Sequence, residues 1–348
     1  MSESEQKTQN IPKRILFIRP SALGDVCRSV PVVASLKQQW PMVDIDWLIQ
    51  DTFAEAIVAH PATSDVVLFP RNQLRQWYFP GGLVRTIRFL RTLKSKQYDL
   101  VIDGQGLGRS GLFSWATKSP IRIGFASARE GGKLGYTKRV QAKSVHTVDQ
   151  MLELVEAAGA TPVKDMRLYA TQQNSQWWSK RREEKAIHRY AVIAPTSRWK
   201  SKQWPTDRFA EVASFLVDKG LKPVVVGAPH EFSQVEQLLH NKDVMVLLDE
   251  MTIGRLLAVI ERANIVIAND SASLHIAVGF QRPCVGLYGP TNPAKVGPYN
   301  QPNSVVAADV DYSEVNYRDE KMNDGLMRTI EVDEVLSKIE EQLSVADS

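Results

Sequence analysis

Short runs of Val, Ile and Leu alternate with amphipathic stretches along the whole chain, and this alternation limits the fold more than any other feature. In the first half the apolar runs are RILFIRP (14–20), DIDWLI (44–49), DVVLFP (65–70), YDLVIDG (98–104) and IRIGF (121–125). In the second half they are YAVIAP (190–195), KPVVVGAP (222–229), DVMVLLD (243–249), ANIVIAND (263–270) and PCVGLYGP (283–290). Between them lie stretches of helical period such as GLVRTIRFLRTLKSK and TDRFAEVASFLVDKG. Continuous apolar runs mark strands buried on both faces, hence parallel sheets covered by helices. The alternation occurs twice, so two doubly wound α/β domains are expected.

Length agrees, because 348 residues exceed one ordinary core and suit two domains of roughly 150. The expected division is 1–175 and 186–325, broken in the polar stretch TQQNSQWWSKRREEK (171–185), which also reads as a helix. A last segment, 326–348, carries the amphipathic IEVDEVLSKIEEQL, which could pack back on the first domain.

No apolar run approaches the ~20 residues of a membrane span. The opening MSESEQKTQN is polar and reads as a frayed leader, neither a signal peptide nor a span. Cys27 and Cys284 lie far apart without metal-ligand spacing, as expected of reduced, buried thiols in a cytosolic protein. Net charge is +4, but residues 1–150 hold 21 Lys/Arg against 12 Asp/Glu, and the rest hold 22 against 27. Within 71–143 the count is 15 against 3. A basic half joined to an acidic one suits an anionic partner: nucleic acid, acidic lipid or a phosphorylated saccharide. The alternative is a merely solvated basic face. The basic loops lack interleaved aromatics for stacking bases, which argues against nucleic acid.

Ligands of open parallel sheets bind at the carboxyl ends of the strands. After the first run comes RPSALGDVCRSVP (19–31), with neither of the glycine-rich nucleotide fingerprints. Asp25 follows Gly24 where a helix should begin. It is either a cap or an ionised acid that can take a proton from a substrate hydroxyl. After the fourth run, DGQGLGRSG (103–111) offers four glycines for close backbone approach and Arg109. After the fifth, GFASAREGGKLGYTKRV (124–140) carries Arg129, Lys133, Lys138 and Arg139, a pattern fit for phosphate or carboxylate groups or else a mobile basic loop. In the second half, APTSRWKSKQWP (194–205) places Thr196, Ser197, Lys200 and Lys202 after a strand end, where hydroxyls and ammonium groups can meet phosphate. Next, IVIANDSASLHIAVGFQRPCVGLYGPTNP (265–293) ends a strand in Asn269-Asp270. It then opens a helix through Ser271, Ala272 and Ser273, with His275 on its first turns. Such a start leaves backbone amides free for a diphosphate. Asp270 and Ser271 could equally cap the helix, and His275 could sit satisfied in the core.

Six short motifs, in order, resemble glycosyltransferase family 9, the ADP-heptose:lipopolysaccharide heptosyltransferases, with the two-domain GT-B fold. They are S-A-L-G-D-V (21–26), Y-D-L-V-I-D-G-Q-G-L (98–107), A-R-E (128–130), K-Q-W-P (202–205), N-D-S-A-S-L-H-I-A (269–277) and L-Y-G-P-T-N-P (287–293). The resemblance implies an inverting, metal-independent, cofactor-free transfer of heptose from ADP-L-glycero-β-D-manno-heptose to the anionic Kdo–lipid A inner core. It implies a cytoplasmic enzyme peripheral to the inner membrane, with no nucleic-acid partner. On the family pattern Asp25 is the general base. Lys202 contacts the donor phosphates with Thr196 and Ser197 in the preceding loop, Asp270 binds the heptose, and Ser271, Ala272 and His275 cradle the diphosphate. Arg109 and Arg129, with Lys133 and Arg139 beside them, meet the inner core. The loop before Lys202 runs about two residues long, which leaves Lys200 as an alternative. Ser271-Ala272-Ser273 stands where the family usually has Asp-Thr/Ser-Gly. A family member adding a later heptose or another sugar, another GT-B enzyme such as a nucleotide-sugar epimerase, and a non-catalytic basic module are the competing expectations.

Overall fold

A computed structural model describes residues 11–69, 71, 79–315, 319, 323 and 325–347; the MSESEQKTQN leader lies outside them. The ten apolar runs supply ten of the twelve strands of two six-stranded sheets. The first contains β1 (Arg14–Ile18), β2 (Asp44–Gln50), β3 (Asp65–Phe69), β4 (Leu100–Asp103), β5 (Ile121–Phe125) and β6 (Lys138–Val140) in the order β3-β2-β1-β4-β5-β6. The second contains β7 (Tyr190–Ala194), β8 (Lys222–Val225), β9 (Met245–Val246), β10 (Ile265–Asn269), β11 (Cys284–Tyr288) and β12 (Val305–Ala307) in the order β12-β11-β10-β7-β8-β9. Every pairing is parallel, as continuous Val/Ile/Leu runs require. Two edge strands, β6 and β12, were not among the apolar runs. Each is only three residues long, and β6 is largely exposed.

The helices are α1 (Leu23–Arg28), α2 (Val30–Gln39), α3 (Pro80–Ser95), α4 (Gly108–Ala116), α5 (Thr147–Ala157), α6 (Gln172–Glu184), α7 (Thr206–Asp218), α8 (Glu236–Leu239), α9 (Ile253–Glu261), α10 (Ala272–Gly279), α11 (Pro293–Val296) and α12 (Val332–Asp347). The stretch 171–185, where a break was expected, is mostly the helix α6. It packs on α9, with Trp178 buried and donating to the Tyr190 hydroxyl at 2.8 Å. The chain passes from one sheet to the other just before it. Val163 N–H donates to Ser35 in the first unit, and Leu168 N–H donates to Gly279 in the second.

The closing helix does not pack back on the first domain. Val335 and Ile339 of α12 are fully buried with Phe209, Val212 and Leu216 of α7, against β10–β12. The stripe that suggested a partner finds it on the nearest sheet, where each such side chain contributes about 1.5–3 kcal/mol of burial. The two domains meet through α1 and α10. Val26 and Val30 belong to one buried apolar cluster with Leu274, Ile276 and Ala277 of α10.

Candidate active site

Each sheet reverses its strand order beside its central strand, between β1 and β4 in the first and between β7 and β10 in the second. Those switch points open a crevice at the carboxyl ends, and the candidate residues follow these strands.

Asp25 is the third residue of α1. Ala22, the N-cap, has no side chain able to cap, and Asp25 Oδ2 instead accepts the Ala22 N–H at 3.3 Å. Its Oδ1 faces two guanidiniums, Arg19 at 3.0 Å and Arg28 at 2.5 Å, while its side chain stays 29% exposed. Burial pushes this carboxyl up, but Arg19, Arg28 and the two hydrogen bonds outweigh it and hold it well below the usual carboxylate range. Asp25 therefore caps and stays ionised at once, and two arginines do most of what the helix terminus alone was expected to do. Arg19 also donates to the Gly104 carbonyl.

Arg28 carries the arrangement across to the second domain. Its guanidinium donates to Asp25, to His275 Nε2 at 2.9 Å and to the Val296 carbonyl at 3.0 Å. Arginine only donates, so His275 Nε2 is the acceptor and its proton sits on Nδ1. Burial first, then the Arg28 charge, pushes the His275 pKa well down, which keeps the ring neutral. His275 was expected at the donor. It lies 2% exposed behind the helix start, and a Cβ on Gly24 would come within 3.0 Å of its Cδ2. The lack of a side chain at Gly24 lets α1 and α10 meet this closely.

On the second domain, buried Asn269 ties down the loop after β7. Its Nδ2 donates to the Pro195 carbonyl at 2.5 Å, and its Oδ1 accepts Trp204 N–H at 3.2 Å. Trp204 Nε1–H in turn donates to Ile330 at 3.0 Å. Thus fixed, the loop sets Lys202 Nζ 2.6 Å from Asp270 Oδ2, with both side chains largely buried. Lys200 is exposed and lines a neighbouring pocket. Ser271 is the N-cap of α10 but makes no cap bond. Its Oγ, the Tyr288 hydroxyl and the Thr291 Oγ1 are buried with no partner among the described residues.

Lys202, Asp270 and Ser271 line a cleft of about 520 Å³ between the domains, and Asp25 lies just behind its rim, next to the lining residues Ala22, Leu23 and Gly24. Leu23 and Gly24 of the α1 start form one wall. Thr196, Ser197, Lys202, Asp270, Ser271 and Ala272 form the polar side of the other. Farther along, Phe53, Met251, Ile253 and Leu256 make an apolar slot with Glu231 at its edge. Glu231 Oε2 accepts Ala228 N–H at 2.7 Å. Sequence reading missed this end of the cleft, as it missed Arg19 and Arg28; an acid following the Gly227 turn after β8 was the available signal. Among the described residues no group of three or more His, Cys, Asp or Glu side chains is arranged to hold a metal.

The first-domain cations do not line this cleft. Arg109 is exposed at the start of α4, its guanidinium carbon 5.3 Å from the Phe69 ring centre. Arg129, Lys133 and Arg139 are exposed beside the same strand ends, and Arg139 Nε donates to the Lys133 carbonyl at 3.1 Å. The surrounding glycines serve packing. A Cβ on Gly111 would lie 2.2 Å from the Gly132 carbonyl, and one on Gly135 would lie 2.0 Å from that of Gly111. Asp103 orders the DGQG turn by accepting Gln105 N–H at 2.8 Å, Gly106 N–H at 3.2 Å and the Tyr136 hydroxyl at 2.6 Å.

A family model of glycosyltransferase family 9 (heptosyltransferase) matches residues 86–324. Lipopolysaccharide heptosyltransferase 1 of Salmonella typhimurium is 27% identical over 295 residues, 83% of this chain and 92% of that one. A glycosyl transferase family 9 structure from Veillonella parvula superposes with a TM-score of 0.79 at 22% identity, over 95% of this chain and 97% of that one. The Escherichia coli heptosyltransferase WaaC with ADP-2-deoxy-2-fluoro heptose gives 0.74 at 25% identity, over 94% and 99%.

Proposed function

The chain belongs to glycosyltransferase family 9, and from that premise we propose that it moves heptose from ADP-heptose to a Kdo–lipid A acceptor in lipopolysaccharide core assembly. The observation that carries the reading is the single cleft in which the Asp25 helix start faces the Lys202–Asp270 pair and the amides of α10. The acceptor hydroxyl attacks the anomeric carbon from the Asp25 side. The bond from that carbon to the diphosphate oxygen breaks, the configuration inverts, and Asp25 takes the hydroxyl proton. Held ionised by two arginines, Asp25 is a weak base, so it acts late, as the new bond acidifies the oxygen.

ADP leaves with growing negative charge. Lys202 and the N-terminus of α10 meet that charge without a metal ion, and no cofactor takes part beyond the donor itself. Lys202 is preferred over Lys200 because it alone of the two lines the cleft. Asp270 then shares Lys202 with the phosphates and turns a carboxylate oxygen to a sugar hydroxyl. The Phe53–Met251 slot suits a purine face and Glu231 the ribose hydroxyls. Arg109, Arg129, Lys133 and Arg139, outside the cleft but at the same sheet edge, meet the acidic sugars of the acceptor. The protein would work in the cytoplasm against the inner membrane.

Purified protein given ADP-heptose and Kdo–lipid A in excess chelator should form a product one heptose heavier by mass spectrometry and release ADP. No transfer from ADP-heptose, or transfer only from a uridine-linked donor, sinks the reading.

A further inference from the structure

We propose that the carboxyl edge of the first sheet docks on an anionic bilayer through the first two turns of α3. The proposal rests on the lipid-anchored acceptor proposed above and says which surface meets the lipid. Phe79, Leu83, Val84 and Ile87 are 56, 47, 57 and 40% exposed. At 100° per residue Leu83, Ile87 and Val84 span one arc of α3. The opposite side of the helix, through Phe89, Leu90 and Leu93, packs with Phe69 and Phe113. Arg91 and Lys94 continue the outward arc one and two turns on, and Arg85 and Arg88 flank it. None of these four cations is ion-paired within the described residues, whereas Lys96 is held by Asp46 and Asp65. Residues 66–98 contain seven Lys/Arg and no Asp or Glu.

Apolar side chains ringed by arginine suit the boundary between acyl chains and anionic headgroups. A second copy of this chain would bring the same cations against one another, so self-association is disfavoured. Topology places the patch usefully. As the crossover from β3 to parallel β4, α3 runs antiparallel to the strands, and its first turns lie at the carboxyl edge that also bears Asp25, Arg109 and Arg129. Leu134, 74% exposed in the turn Gly132–Gly135, lies at that edge as well. A lipid-borne sugar docked here would stand beside the cleft.

The test is flotation of the full chain with vesicles of phosphatidylethanolamine and phosphatidylglycerol, 3:1, or of phosphatidylcholine alone. Wild type should favour the anionic vesicles by about tenfold or more at ~0.15 M salt. Leu83→Ser/Ile87→Ser should lose at least ~tenfold of that binding, and Arg85→Gln/Arg88→Gln about 30-fold. Unchanged circular dichroism and thermal midpoint confirm folding, and transfer to a Kdo acceptor lacking acyl chains should stay at the wild-type rate in both variants. Equal binding to both vesicle types, variants that bind like wild type, or a concentration-dependent dimer abolished by Leu83→Ser/Ile87→Ser would overturn the proposal. Normal vesicle binding without transfer from any donor would instead count against the function, leaving the surface standing.

Discussion

At the residue scale the informative group is the Arg28 guanidinium, which touches the carboxylate of Asp25, a neutral ring in the second domain and the carbonyl of Val296. Asp25 has a depressed folded-state pKa. Its contribution to stability is therefore fully present above the unfolded value of about 3.9 and is lost as pH falls through the folded one. The same depression keeps it able to accept a proton far into acid. Arg28→Gln removes one of the two opposing charges while burial remains, so the acid limb of kcat/KM should shift to higher pH, and Arg28→Lys should shift it less. Rate profiles taken downward from neutral pH as far into acid as the fold survives check this; superimposable limbs for wild type and Arg28→Gln would contradict it. Asp25, Lys202 and Asp270 were legible in the sequence because each sits within a few residues of a strand end. Arg28 was not, because it interrupts an ordinary helical pattern and takes its meaning from His275, 247 residues away. His275 was misjudged for the converse reason. A histidine on the first turn of an anion-binding helix looks like a ligand until its burial behind Gly24 is known.

At the element scale, apolar period revealed ten of the twelve strands, the edge strands β3 and β9 included, and missed β6 and β12, whose three residues each are too short a run to stand out. The polar α6 reads as a linker because it buries one tryptophan rather than a stripe. The glycine-rich motifs announced a ligand loop, yet their first cause is the interlocking of α4 with the Gly132–Gly135 turn. This gives a sharp stability prediction. In a free helix Gly→Ala at position 111 would gain about 1 kcal/mol of propensity. Here the new Cβ would sit 2.2 Å from the Gly132 carbonyl and 2.6 Å from its Cα, backbone atoms that cannot swing aside. Overpacking of about 1–3 kcal/mol wins, so Gly111→Ala should lower the midpoint of thermal unfolding by several degrees. An unchanged or raised midpoint would show that the turn yields.

At the scale of the whole molecule, the charge split and the paired sheets were both visible in the sequence, but their meeting was not. The basic surface lies beside the cleft rather than within it, and the two sheets share one apolar cluster that passes through α1 and α10. This shared core holds Asp25 of one domain against Lys202, Asp270 and the start of α10 of the other. The function proposed above divides the labour accordingly: the first domain would do the proton chemistry, and the second would hold the nucleotide. The most direct measurement is kcat for Asp25→Asn, taken beside its dissociation constant for ADP. The account predicts a fall in kcat of about 10²–10⁴-fold with ADP affinity within about threefold of wild type, a difference under 1 kcal/mol. A kcat near wild type, or a loss of ADP binding as large as the loss of turnover, would contradict it.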